Sequence, residues 1–305
     1  MRKLLPYVYQ TESAYALRNP QFCERYGNME DEFGFDLEVF SRTEYYMRFL
    51  YEEYFQIKVF GIENIPSQGS AILAGNHNGV LPLDAFMLLL AAANKHSHHR
   101  LVRFLSHDCC FWGVNLRKTI SGVGGVQATY KNAKTLLNRG QLVGIYPGAW
   151  RAMGKPLDFS YNVAEFHRAF VRLAIETQSP IIPVATIGNN EVYPLIGNSK
   201  TLAKLFDVPF FWITPLFPLL PFPLSWTPLP SKWAMYIGKP IYLDYPRERA
   251  GDRDLVDRIT IDFQNHIQSL VDEMLIMRKS AFTGWDEREL TEWAMSAKNE
   301  FATRT

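Results

Sequence analysis

This sequence has few cysteines, almost no net charge and no unbroken membrane-length apolar helix, and each shortage closes off a class of function. Three cysteines in 305 residues, Cys23, Cys109 and Cys110, form an odd set with two adjacent members. That is a poor framework for disulfides and predicts a reducing, cytosolic setting. With 32 Lys+Arg against 31 Asp+Glu the formal net charge is only +1, so no global field draws the chain to nucleic acid. No serine stands in a G-x-S-x-G frame, which removes the nucleophile elbow that a serine hydrolase on an α/β sheet would need. The opening "MRKLLPYVYQTESAYALRNPQF" has two basic residues but only a very short apolar run before Pro6, so a secretory signal is not expected.

Apolar residues, by contrast, are plentiful at 47%, enough to fill a sizeable core. The densest stretch, "VPFFWITPLFPLLPFPLSWTPLP" at 208–230, is interrupted by Pro209, Pro215, Pro218, Pro221 and Pro223. Each proline removes a backbone donor, so the stretch cannot be a spanning helix. Two readings remain: a covered hydrophobic crossover, or a loop dipped into a bilayer interface, where Trp212 and Trp226 would be at home. In "TEYYMRFLYEEYFQIKVFG", Tyr45, Phe49, Tyr51 and Phe55 recur with roughly helical spacing, which suits core packing or a second interface.

Strand and helix patterns alternate along the chain. "QIKVFG", "SAILAGN", "VRFLSH", "QLVGIYP" and "PIIPVATIG" read as strands; "PLDAFMLLLAAANK", "NAKTLLNRG" and "AEFHRAFVRLAIETQ" read as helices. "KWAMYIGKPIYL" supplies a late strand or pair of strands, and residues 253–280 a long amphipathic C-terminal helix. This predicts an α/β fold: a single layered domain with a mostly parallel or mixed central sheet flanked by helices, plus an N-terminal helical segment. The expected division is 1–43 as an N-terminal extension, 44–278 as the α/β domain and 279–305 as a tail.

Chemistry gathers at two strand ends. In "AILAGNHNGVLPLDAF" an apolar run ends at Asn76-His77, and Asp84 follows as a helix begins. Open α/β sheets place ligands just beyond the carboxyl ends of their strands. A histidine there can accept a hydroxyl proton if a carboxylate on its other nitrogen fixes the tautomer. The bland alternative is a capping aspartate beside an unrelated histidine. In "GIYPGAWRAMGKP" a second strand ends at Tyr146-Pro147-Gly148, with Arg151 and Lys155 beyond it. That pair could hold an anion through a guanidinium fork and a point charge, or be solvated. "KHSHHR" at 95–100 lacks a carboxylate or thiol at ligand spacing, so no metal site is expected there. His107-Asp108 beside Cys109-Cys110 keeps a cysteine nucleophile in view, while His167 and His266 read as packing or surface residues.

Together these stretches resemble the glycerolipid acyltransferase superfamily, typified by bacterial 1-acylglycerol-3-phosphate acyltransferase, over about residues 44–245. "GIENIPSQGSAILAGNH" is similar to the family's GxENxPxxG stretch and its strand ending in NH. The family's H-x4-D becomes "HNGVLPLD", with six residues between His77 and Asp84, as in the longer Gly-containing loops of the branch near diacylglycerol acyltransferases and ester synthases. "YPGAWR" looks like FPEGTR, with Gly148 at the glutamate position. Gln127-Ala128 stands where many relatives carry an acidic residue and an arginine. "PIIPVATIG" and "IGKPI" match the closing motifs.

The resemblance implies an O-acyltransferase. His77, held by Asp84, would take the proton from an acceptor hydroxyl as it attacks a fatty acyl thioester. Arg151, Lys155, Gly148 and Pro147 would lie at the substrate. Acyl-CoA or an acyl-carrier protein would be the co-substrate, with no cofactor and no metal. The acceptor would be a lysophospholipid or another glycerolipid at the cytoplasmic side of a membrane, met as a peripheral or monotopic protein. Loss of the glutamate points instead to a diacylglycerol or long-chain alcohol acceptor, or to a noncatalytic lipid-binding relative.

Overall fold

Alternation along one short strand sets the layering. In β2 (Ala71–Gly75) Ala71 and Leu73 belong to one core and Ile72 and Ala74 to the other, the two-residue period of a strand buried on both faces. The computed structural model describes residues 14–29, 31–77, 81–148, 161–205, 211–221 and 224–296. It places β2 inside a seven-stranded sheet with β1 (Lys58–Phe60), β3 (Val102–Ser106), β4 (Val126–Gln127), β5 (Leu142–Ile145), β6 (Ile181–Ile187) and β9 (Ala234–Ile237), in the order β1-β9-β6-β2-β5-β3-β4. All neighbours are parallel except β6 and β9, where Thr186 faces Met235. β7 (Gly197–Asn198) and β8 (Trp212–Ile213) form a separate antiparallel pair.

Helices cover both faces. α1 (Pro20–Tyr26), α2 (Leu37–Phe49) and α3 (Leu83–Asn94) pack on one through Phe22, Phe40, Met87 and Leu88. α5 (Tyr130–Asn138), α6 (Ala169–Thr177) and α8 (Arg253–Ile276) pack on the other through Leu136, Phe170 and Phe263. Phe170 and Phe263 meet at 5.2 Å between ring centroids, and burial of each such ring contributes about 1.5–3 kcal/mol. α4 (Val114–Gly122) lies beside α2, α7 (Lys200–Leu205) follows β7, and α9 (Glu287–Ser296) follows the hairpin of β10 (Arg278–Ser280) and β11 (Gly284–Trp285).

The single antiparallel pairing decides what surrounds the carboxyl end of the parallel strands. Because β9 runs against β6, residues 188–233 leave and return at that end. β1, parallel to β9, starts there too, so the π-helical turn Leu50–Tyr54 just before it lies nearby. At the opposite end the buried Arg100 guanidinium donates to the carbonyls of Pro66 (2.6 Å), Gly69 (2.8 Å) and Gly140 (3.3 Å), tying two loops together.

Several expectations shift in register. The helix expected at 164–178 begins only at Ala169; the segment before it is held against α8, Val163 N–H donating to Gln268 Oε1 (2.7 Å) and Phe166 N–H to Gln264 Oε1 (2.9 Å). The C-terminal helix stops at Ile276 rather than 280. The expected boundary at 43/44 falls within α2, and in the described part of 14–43 Tyr15, Phe22 and Phe40 share the main core with α3. The boundary at 278/279 falls within β10, and Trp285 Nε1 donates to Met274 O at 2.7 Å while Leu290 is buried. Of the aromatic stripe, Tyr51 and Phe55 are core and Phe49 is exposed. In the proline-rich stretch Leu219, Leu220 and Leu224 are exposed; residues 208–210 and 222–223 and the side chains of Trp212 and Trp226 lie outside what is described.

Candidate active site

The last residues of β2 are fixed before the histidine is reached. Asn76 extends the ladder with its side chain: its amide donates to Thr186 O (2.8 Å) and its carbonyl accepts from Thr186 N–H (2.9 Å). That buried pair satisfies the β6 backbone where strand pairing ends. His77 follows, 8% exposed, and Asp84, 1% exposed, sits in the first turn of α3. The six residues between them do not keep them apart. His77 Nδ1 lies 2.7 Å from Asp84 Oδ2 and 3.0 Å from Oδ1. Asp84 Oδ1 also accepts from Ala85 N–H at 2.8 Å, and no side chain caps α3; a helix N-terminus favours negative charge.

A carboxylate at Nδ1 makes that nitrogen the donor and leaves Nε2 with the lone pair. Nε2 has no hydrogen-bond partner among the described residues. Burial pushes the imidazole pKa down, but the charge of Asp84 and its hydrogen bond outweigh burial, and the net shift is above the ordinary value of 6.5. The pair is thus a base held in one tautomer with one nitrogen open.

Below the ring lies Tyr146, 5.1 Å between centroids, itself stacked on Phe104 at 5.8 Å and 9°. Gly144 permits that stack, since a Cβ there would come within 2.3 Å of the Phe104 ring. The Tyr146 hydroxyl is buried without a partner among the described residues, and burial first, then the Asp84 charge, drives its pKa well above 10. It stays an O–H donor. Pro147 and Gly148 follow at the end of β5. Pro147 O accepts from His167 N–H (3.1 Å), and a Cβ on Gly148 would come within 2.9 Å of Ala164 O. Backbone therefore occupies the room into which a larger side chain at 148 would start. Arg151 and Lys155 lie outside the described residues.

The other sequence candidates serve local structure. His96 Nε2 pairs with Ile65 O (2.9 Å) and His99 Nδ1 with Ala93 O (2.8 Å). His107 Nδ1 accepts from Cys109 N–H (3.2 Å). The Cys110 thiol is pushed up to about 11 by burial and by Cys109, the opposite of an activated thiolate. Sequence reasoning passed over Asn76 and Tyr146 as working parts of the site; their signal was a place at the ends of two apolar strands, inside the NH and YPGAWR stretches.

Comparison with known proteins sets this geometry in a lineage. A family model described as Acyltransferase matches residues 56–187. An uncharacterized protein of Mycobacterium tuberculosis strain H37Rv is 37% identical over 257 residues, covering 83% of this chain and 72% of that protein. A human protein named DGAT1/2-independent enzyme synthesizing storage lipids is 27% identical over 217 residues, covering 71% and 61%. The crystal structure of 1-acyl-sn-glycerophosphate (LPA) acyltransferase PlsC from Thermotoga maritima aligns with 92% of this chain and 98% of that one, at 17% identity and a TM-score of 0.48.

Proposed function

The chain belongs to the acyltransferase family, and from that premise we propose that it moves a fatty acyl group from an acyl thioester to a hydroxyl of a lysophospholipid or other glycerolipid, with His77 as general base. The observation that carries this is the buried His77–Asp84 pair with Nε2 left open among the described residues. Nε2 takes the proton of the acceptor hydroxyl while its oxygen attacks the thioester carbonyl. The tetrahedral intermediate collapses, the C–S bond breaks, and the departing sulfur takes the proton back from the imidazolium as a free thiol. Asp84 holds the tautomer and stabilises the imidazolium. Backbone N–H groups around Gly148 are the candidate donors to the developing oxyanion. No covalent enzyme intermediate, cofactor or metal is required; acyl-CoA or an acyl-carrier protein supplies the thioester.

Arg151 and Lys155 supply cations for a phosphate, of acceptor or donor. Arg151→Ala distinguishes them: about thirtyfold lower kcat/KM for a lysophospholipid, with a neutral alcohol spared, assigns the acceptor; equal losses assign the donor. A second reading has its own support. Gly148 leaves no room for the glutamate at its position, and four vertebrate relatives are named for storage-lipid synthesis, which favours a diacylglycerol or long-chain alcohol. An acceptor panel with one acyl-CoA, reading thiol and lipid product together, tests both. Thiol release without a lipid product refutes transfer, and lipid binding without thiol release makes the chain a noncatalytic relative. We place the protein peripherally at the cytoplasmic side of a membrane; among the described residues no helix is long and apolar enough to cross one.

A further inference from the structure

One segment away from the dyad is exposed without a break. Residues 112–119 are all exposed, and Trp112 (58%), Val114 (82%) and Leu116 (47%) lie within five positions of one another. Single exposed apolar residues are ordinary on a protein surface, whereas a contiguous set marks a contact. The segment is held in place. Gly113, at φ +76°, turns the chain out of the 3-10 turn Asp108–Phe111 into α4. At the other end Gly122 packs so closely on Val39 that a Cβ would come within 2.5 Å of its side chain, and Gly122 O accepts from Asp36 N–H at 3.1 Å. α4 is therefore anchored by its last turn and presents its first.

Charge identifies the partner. Arg117 and Lys118 follow directly, exposed, with no carboxylate partner among the described residues. From Cys109 to Leu157 the sequence has no Asp or Glu and seven Lys or Arg residues, although the whole chain is nearly neutral. A Trp-bearing apolar turn followed by cations suits an anionic lipid interface, where the ring lies at headgroup depth and the cations meet phosphates. Position agrees as well. α4 follows β3, so it stands at the end of the sheet that carries His77. A narrow apolar cleft lined by Pro82, Phe86, Phe104, Cys110 and Ile120 runs between α4 and the first turn of α3, the turn that bears Asp84.

We infer that Trp112–Lys118 is a docking element for an anionic lipid bilayer: Trp112, Val114 and Leu116 enter the interfacial layer, Arg117 and Lys118 bind headgroup phosphates, and the cleft beside Asp84 faces the acyl chains. Only the last clause rests on the acyl-transfer reading; docking itself needs no catalysis.

The test is co-sedimentation of the full chain with vesicles of phosphatidylcholine, alone or mixed with phosphatidylglycerol. The parent should bind the mixed vesicles better. Trp112→Ser/Val114→Ser/Leu116→Ser should lower binding about tenfold or more at a near-parental melting temperature, since the residues it alters are exposed and belong to neither core. Arg117→Glu/Lys118→Glu should lose about tenfold on mixed vesicles and little on phosphatidylcholine alone. Trp112→Ser serves as the milder form should the triple variant melt early. Equal binding by parent and variants, or a parent indifferent to phosphatidylglycerol, overturns the inference. So does unchanged vesicle binding together with lost self-association, which would give this face to a second copy of the chain. A parent that docks but transfers no acyl group would refute the proposed function and leave the docking element standing.

Discussion

Two buried ion pairs of the same kind stand at different places on the sheet and have different fates. Asp31 meets Arg103 of β3 with both side chains 3% exposed or less, and Asp84 meets His77 with side chains 1% and 6% exposed. Around Arg103 every guanidinium nitrogen donates: Nε to Gly124 O (2.9 Å), Nη1 to Asp31 and Gln141, Nη2 to Asp31 (2.8 Å), with Phe33 over the guanidinium. Asp31 Oδ2 also accepts from Phe35 N–H at 2.6 Å. Around His77 one nitrogen is left over among the described residues. Burying a charge pair is costly, and a fully satisfied pair gains geometric definition in return. The unsatisfied one retains a lone pair for a reactant, so the useful distinction is between closed and open coordination, and burial alone does not make it.

The comparison breaks most visibly at the closed pair. Arg103→Ala leaves the Asp31 carboxylate buried without its cation and should destabilise the fold by about 3–5 kcal/mol, read as a lower urea midpoint, with specific activity per folded molecule little changed. At the open pair the ranking reverses. His77→Ala should cut transfer by ~10² or more, about 2.7 kcal/mol of barrier, with near-parental melting; activity within a fewfold of the parent would remove His77 from the chemistry.

Asp84→Asn sharpens the contrast through pH. A base works deprotonated, so with the His77 pKa raised the acidic limb of kcat/KM should lie above 6.5. The pair's stabilisation of the fold follows the same sign: full below the unfolded value of 6.5 and lost as pH rises through the raised native pKa. Without the carboxylate burial prevails, so the limb should move below 6.5 and the plateau rate should drop. A limb that stays put would show that Asp84 does not set the base. Tyr146→Phe is the mildest change. It keeps the ring beneath His77 and removes an orphan buried hydroxyl, so stability should be unchanged or rise by up to about 1 kcal/mol; a loss of rate without a loss of stability would give the hydroxyl a part in the reaction.

What could be read in advance follows the range of the forces. The strands from Ala71, Val102, Leu142 and Ile181, and α3 and α5, announce themselves through local apolar period and stop signals, and so does the strand-end place of His77. The start of α6 could not be seen because the segment before it is held by Gln264 and Gln268, about a hundred residues later in the chain. α4 was invisible because its first turns bury nothing and so carry no inward-facing period. The dyad's contact depends on how the loop after His77 folds back, which spacing constrains but does not dictate.

Arg100 has a consequence for how such a chain can change length. One guanidinium holds carbonyls from the 66–69 loop and the Gly140 turn in a fixed spread. An inserted residue in either loop would strand a buried cation, so this end of the sheet is intolerant of insertions. The far side differs: residues 188–233 depart from β6 and return to β9, and between those ends the chain pairs only with itself in the short β7–β8 ladder rather than with the central sheet. Lengthening a surface excursion costs little entropy. Divergence among homologues in loop length should therefore concentrate at the end that carries His77, with the Arg100 end acting as the fixed gauge against which those loops vary.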